Sequence, residues 1–158
     1  MIGRVDLHPA LAAADAARLD ERRLAIQALV EDVDAADPST LALFVDVAPD
    51  GLLLVWLRGG EALARTPVSD ASLRRHLDEY EAVCRRLGSL DEDSAGQRLE
   101  ALDMAKKLAH DDAARTLAAL CQPVAIDHAT CRRLFTLVFG LRVDTTRLGR
   151  AHRAHHHP

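Results

Sequence analysis

The period of the apolar positions changes along the chain, and each change marks a structural element. Residues 4–7 alternate polar and apolar, which predicts a short strand. From Leu19 to Val33 the apolar residues recur every three to four positions, which predicts a long helix. Charged residues such as Glu21 and Arg22 fall outside this apolar stripe. We therefore expect the chain to begin with a strand and a long helix.

Three segments with strand character follow the first helix. The proline of Asp37-Pro38 is expected to end that helix, because the residue before a proline disfavours the helical region. Pro49 favours a turn between the first two strands, with Gly51 expected to take a positive φ. The middle segment is apolar on both faces and is expected to be central. The pattern predicts a three-stranded antiparallel meander with strands at residues 41–47, 52–58 and 62–66.

The second half of the chain has helical spacing. Ser69 or Asp70 is expected to cap the first helix, and Asp127 to cap the last. Three to four helices are predicted, at about 70–87, 97–110, 111–121 as a continuation or a restart, and from 127 onward. Strands followed by helices are typical of an α+β fold, here with the helices on one face of the sheet.

Length and composition indicate one intracellular domain. The chain has 158 residues, of which 1–143 are assigned to a single domain and 144–158 to a disordered tail rich in arginine and histidine. The three cysteines show no C-x-x-C pair and are expected to be buried thiols of a reducing compartment. No leader or membrane-spanning segment is apparent, so we expect a cytoplasmic protein.

Charge is distributed unevenly along the chain. The formal net charge is -4, with ten acids and four bases in residues 1–50 but five acids and nine bases in residues 101–158. The net charge disfavours nucleic acid as a main ligand, although the basic tail permits weak, nonspecific contacts. The asymmetry indicates a polar partner surface or a basic tail, or it arises by chance. The expected partner is another protein or a second copy of this chain.

One polar cluster is a candidate for chemistry. Helical spacing places Glu100, Asp103, Lys107 and His110 on one face, and a carboxylate beside a histidine can prepare it for general base catalysis. The alternative to a chemical site is a solvent-exposed helix face with ion pairs between neighbouring side chains. The candidate catalytic residues are His110, Asp103, Asp111 and Asp112, and the candidate residues for a ligand or partner are Glu100, Lys107, Arg115, Arg132 and Arg133.

Other chemistry has less support. Cys131 lies three residues from His128, but it falls on an apolar stripe and Asp127 is expected to serve as a helix cap, so cysteine catalysis is disfavoured. No glycine-rich phosphate loop, zinc motif or nucleophile elbow occurs, and we expect neither a cofactor nor a metal site.

Several short motifs in the second half resemble a known family. They are Glu79-Tyr80, Leu99-Glu100-Ala101-Leu102-Asp103-Met104, His110, Ile126-Asp127 and Arg132-Arg133-Leu134-Phe135. Together they resemble the uncharacterised bacterial family UPF0262, over about residues 1–143. The resemblance implies a small bacterial cytoplasmic protein and supplies no catalytic or binding residue. Cys131 and the tail depart from the family pattern.

Three functions remain open from the sequence. The leading hypothesis is a non-catalytic binding or regulatory module that acts through a protein partner. The second is a small enzyme or ligand-binding protein that uses His110 and its acidic neighbours. The third is a nucleic-acid accessory that uses the basic C-terminal portion.

Overall fold

The computed structural model describes residues 1–32, 37–90, 96–145 and 148. Four strands form one mixed sheet in the order β1-β2-β3-β4, with β1 parallel to β2 and the other pairs antiparallel. The meander is confirmed, and the first strand adds to its edge beside β2. The strands are β1 (Ile2–Leu7), β2 (Leu41–Ala48), β3 (Gly51–Arg58) and β4 (Glu61–Ser69).

Five helices in the described part of the chain complete the α+β fold, in agreement with the predicted class. Ser69 caps α3 by accepting a hydrogen bond from the Ser72 amide, and Asp127 caps α5 by accepting one from the Thr130 amide. Residues 97–121 form one continuous helix. The helices are α1 (Pro9–Ala12), α2 (Ala16–Leu29), α3 (Asp70–Gly88), α4 (Gln97–Cys121) and α5 (His128–Arg142).

The helices cover one face of the sheet. The side chains of β2 and β3 alternate along each strand, and one set is buried in a single core with α2, α3, α4 and α5. The only tryptophan, Trp56, is fully buried in this set, and its indole N–H donates to the Thr66 hydroxyl at 3.3 Å. The sheet residues of the core are Ile2, Val5, Leu41, Leu43, Val45, Leu52, Leu54, Trp56 and Val68.

The first helix differs from its prediction in length and in orientation. It ends at Leu29, because Val30 already has an extended backbone, and residues 33–36 lie outside the described part of the chain. Leu19 is 42% exposed, whereas Glu21 and Arg22 are buried. Leu29 of the predicted stripe is buried and Ile26 and Val30 pack against the core, so the buried face overlaps the predicted one but extends to Glu21 and Arg22 instead of Leu19.

The packed domain continues beyond residue 143. The Thr145 hydroxyl donates a hydrogen bond to the Glu21 carboxylate, and Leu148 is part of the core. These two residues were assigned to the tail because so few apolar residues follow Asp144. The other tail residues, 146–147 and 149–158, lie outside the described residues.

Within the described ranges, no helix is both long and apolar enough to cross a membrane.

Candidate functional site

Most of the predicted polar cluster on α4 consists of local ion pairs on the outside of the helix. The Lys107 ammonium lies 3.1 Å from the Asp103 carboxylate, and the Arg115 guanidinium lies 2.8 Å from the carboxylate of Asp112. Both cations are well exposed, and Glu100 is exposed one turn before Asp103. Surface pairs of this kind contribute little to stability.

His110 instead points into the space between α3, α4 and α5. Its ring centroid lies 5.5 Å from that of Tyr80 and 5.7 Å from that of Phe135. Its Nε2 lies 2.7 Å from the carbonyl oxygen of Arg132 and 3.1 Å from the Thr136 hydroxyl. The imidazole is therefore a packing element of the helix interface.

These contacts determine the protonation state of His110. A carbonyl oxygen can only accept, so Nε2 carries the proton and donates it to Arg132. The other ring nitrogen, Nδ1, faces the Arg132 guanidinium at 3.5 Å. Burial lowers the pKa of His110 to about 4, and the nearby positive charges act in the same direction. His110 is neutral at pH 7, with both nitrogens facing protein groups.

Asp111 and Arg132 form the solvent-facing side of this cluster. The Asp111 carboxylate lies 3.1 Å from Arg132 Nε, although the N–H does not point at it, and it accepts a hydrogen bond from His128 Nε2 at 3.2 Å. Partial burial opposes ionisation of this carboxyl, but the bond from His128 and the charge of Arg132 hold the pKa of Asp111 below its usual value.

Of the nine predicted site residues, the structure therefore brings three together, namely His110, Asp111 and Arg132. Glu100, Asp103, Lys107, Asp112 and Arg115 lie along the outer part of α4. Arg133 is half-buried on α5. Hydrogen bonds from Thr130 lower the pKa of the capping carboxyl of Asp127, and the charge of Arg133 acts in the same direction.

Two buried residues of this helix interface were not predicted. Lys106 is only 4% exposed, and its ammonium lies 5.7 Å from the centre of the Tyr80 ring. Burial lowers the pKa of Lys106 and raises the pKa of Cys84 to about 11. His76 is also buried and is hydrogen-bonded to the Thr116 hydroxyl at 2.7 Å. Lys106 lies about two helical turns before Ala113, which is on the buried face of α4. This spacing is the feature of the sequence that indicates burial of Lys106.

The cysteine candidates of the sequence are buried thiols. Cys131 is fully buried, and burial raises its pKa to about 11, so the thiolate needed for nucleophilic attack is suppressed at neutral pH. Within the described ranges, no three His, Cys, Asp or Glu side chains come together as a metal ion requires.

The second candidate region is the sheet face that none of the described helices covers, which we call the open face. Paired residues on neighbouring strands point to the same face, so the register places Phe44 beside Val55, Asp46 beside Leu53, and Ala42 beside Leu57. Phe44, Leu53, Val55 and Leu57 are only partly buried, and they belong neither to the core nor to the partly buried residues packed against it. They form a central apolar patch on the open face.

A surface depression adjoins this patch at the end of the sheet where β1 and β2 begin. It has a volume of about 620 Å³ and shares Ala42 and Leu57 with the row described above. Its polar lining comes from Arg4, Asp6, Asp37 and Thr40. The open face thus combines apolar side chains with a concave, charged margin.

Comparison with known proteins identifies the family. The family model described as "Uncharacterised protein family (UPF0262)" matches residues 2–144. A UPF0262 protein of Sphingopyxis alaskensis is 32% identical over 136 residues, covering 78% of this chain and 81% of that protein. One of Novosphingobium aromaticivorans is 30% identical over 140 residues, covering 78% and 84%. One of Methylobacterium radiotolerans is 34% identical over 83 residues, about half of either chain. No solved structure matches the chain significantly. The chain belongs to the uncharacterised protein family UPF0262.

Proposed function

We propose that this chain is a non-catalytic binding module of the bacterial cytoplasm that acts through a protein partner, and that the open face of the sheet is its binding surface. The observation that carries the proposal is the apolar patch of Phe44, Leu53, Val55 and Leu57 outside the core. A sheet with one solvated face normally alternates apolar and polar side chains. Strand β3 is apolar at both sets of positions.

The energetics favour a macromolecular partner for this patch. Apolar area removed from water contributes about 25 cal/mol per Å², so complete burial of these four side chains contributes on the order of 1 kcal/mol each. Contiguous apolar surface with a polar margin is typical of protein interaction sites. Arg4, Asp6, Asp46 and Arg65 supply such a margin, with both signs of charge.

The alternatives have weaker support. An enzyme that used His110 as a base would need an accessible lone pair, whereas Nδ1 faces the Arg132 guanidinium and the ring is packed between helices. The mixed charges of the open face do not form the basic surface that nucleic acid requires. The cytoplasmic assignment is supported by three buried thiols without a disulfide.

The test compares binding by two variants that each introduce one carboxylate. Val55→Glu places it on the apolar patch, directly across the strand pair from Arg65, which limits its cost to the fold. Leu19→Glu places it on an exposed position of α2 and is the matched control. Both variants and the original chain are produced with an affinity tag in Sphingopyxis alaskensis, which carries a relative.

We expect a partner that is retained by the original chain and by Leu19→Glu but lost by Val55→Glu. The partner is then purified, and its affinity for the three forms is measured directly by calorimetry. A partner that binds Val55→Glu as tightly as the original chain contradicts the assigned surface. Absence of any retained partner, including a second copy of the chain, contradicts the proposed function.

A further inference from the structure

We infer that the partner which fits the open face is a second copy of this chain, related to the first by a two-fold axis that lies between the sheets and runs along the strands. This inference rests on the proposed function, because it names the occupant of the same surface. It follows from the order in which charged and apolar side chains cross the sheet.

The strand register places four side chains of the open face in one row across the sheet. The order of charges along this row determines which dimer symmetry is favoured. Asp6 pairs with Phe44, Phe44 with Val55, and Val55 with Arg65. The row therefore runs from an acid on the β1 edge, through two apolar side chains, to a base on the β4 edge. A second row of the same face runs from Arg4 through Ala42 and Leu57 to Ala62.

A two-fold axis along the strands reverses the order of the strands in the second copy and places each row over the same row of that copy. The partner's β4 then lies over β1, and its β3 over β2. This operation sets each Asp6 against Arg65 of the other copy and each Phe44 against Val55 of the other copy. The acid, the base and the apolar centre all meet complementary groups in one arrangement.

The other in-plane axis, perpendicular to the strands, is disfavoured by the same row. It preserves the order of the strands and, when centred on this row, sets Asp6 against Asp6 and Arg65 against Arg65. Like charges placed opposite each other oppose association. The charge order therefore selects one of the two face-to-face dimers.

Asp6 and Arg65 of one chain are too far apart to pair with each other, so their opposite charges can pair only with those of a second copy. Asp6 and Arg65 lie on the outer strands of the sheet, three strand spacings apart, which is about 14 Å. Asp6 does lie 2.6 Å from Arg4 of its own strand, but both side chains are well exposed. Packed sheets lie about 10 Å apart, a gap that an arginine and an aspartate from opposite sides can bridge.

The size of the face indicates a reversible dimer. Four strands and three rows cover roughly 400 Å² in each copy, from the spacings within and between strands. Total burial is then below that of a standard stable interface, so we expect association that depends on concentration. Asp46 lies near the β2–β3 hairpin, at the rim of the contact, where its carboxylate stays in water.

The experiment is a charge exchange measured by sedimentation velocity of the full chain over a dilution series. The variants are Asp6→Arg, Arg65→Asp and the double exchange. Each single variant sets like charges against each other twice in the dimer, and we expect the dissociation constant to rise about tenfold or more. The double exchange restores opposite charges and is expected to recover the original constant within about threefold. Arg23→Asp on the exposed side of α2 is the matched control and is expected to leave the constant unchanged.

Each contrary result identifies what has failed. A chain that stays monomeric at every concentration overturns the second copy as partner, while loss of another protein by Val55→Glu would keep the proposed function. A dimer that is insensitive to both single variants, or that the double exchange does not restore, overturns the assigned geometry. Far-UV circular dichroism and the melting temperature of each variant show whether it is folded.

Discussion

At the scale of single residues, the uncharged ring of His110 makes stability depend on pH. Histidine in an unfolded chain titrates near pH 6.5, whereas burial lowers the pKa of His110 to about 4. Its contribution is therefore complete above pH 6.5 and is lost as the pH falls towards 4, because the unfolded chain binds the proton first. The loss amounts to roughly 3 kcal/mol.

His110→Gln tests this linkage. A glutamine amide still donates to a carbonyl but does not titrate, so we expect urea unfolding of the variant to vary less between pH 6.5 and 4 than that of the original chain. His128→Gln removes an exposed imidazole and is the control. Equal pH profiles for the original chain and His110→Gln would mean that His110 can be protonated in the folded state.

The sequence predicted the members of the His110 cluster better than their surroundings. It selected His110, Asp111 and Arg132, which do meet. It could not show that the ring is enclosed, because Tyr80 and Phe135 come from other helices. Helical periodicity treats a charged residue as exposed, so the buried Lys106 on the same helix was not predicted.

At the scale of elements, two glycines have opposite roles. Gly51 begins β3, and a Cβ there would lie 2.2 Å from the Val68 carbonyl oxygen of β4. Gly51 does not have the positive φ expected from the sequence, so what it provides is close approach between strands. Gly140 lies in α5 with nothing within 4 Å of an added Cβ. The two positions form a matched pair for the same substitution.

We expect Gly51→Ala to destabilise the fold and Gly140→Ala to stabilise it. The first forces the β3–β4 backbone apart. The second removes glycine's excess entropy in the unfolded chain and raises the free energy of unfolding by about 0.5–1 kcal/mol. Chemical denaturation of both variants checks the signs. A neutral Gly51→Ala would mean that the β3–β4 hairpin adjusts at no cost.

The elements themselves were predicted where their determinants are local. The meander has glycine and proline at its turns, and its strands were found within a few residues. The place of β1 was not predictable, because its parallel pairing with β2 joins Ile2 to Leu41 across the whole of α2. The end of α2 was misjudged because Val30 continues the apolar pattern while its backbone is already extended.

At the scale of the whole molecule, the end of the domain is fixed by contacts between distant segments. Thr145 reaches the carboxylate of Glu21, which lies 124 residues earlier and is itself buried. Leu148 is 1% exposed and belongs to the common core. A composition rule places these residues in a tail because they stand among arginines and histidines. Long-range packing therefore sets this boundary.

Leu148→Ala distinguishes a packed end from a tail. Removing a buried leucine side chain costs about 2–5 kcal/mol through lost transfer energy and the cavity that remains. We expect a loss in this range from urea denaturation, whereas Leu19→Ala, at an exposed position of α2, is expected to change stability by about 0.5 kcal/mol or less. If Leu148→Ala changes stability as little as this control does, the core ends before residue 148. A loss in the expected range would instead show that Leu148 packs in the core that the helices form with the covered face of the sheet.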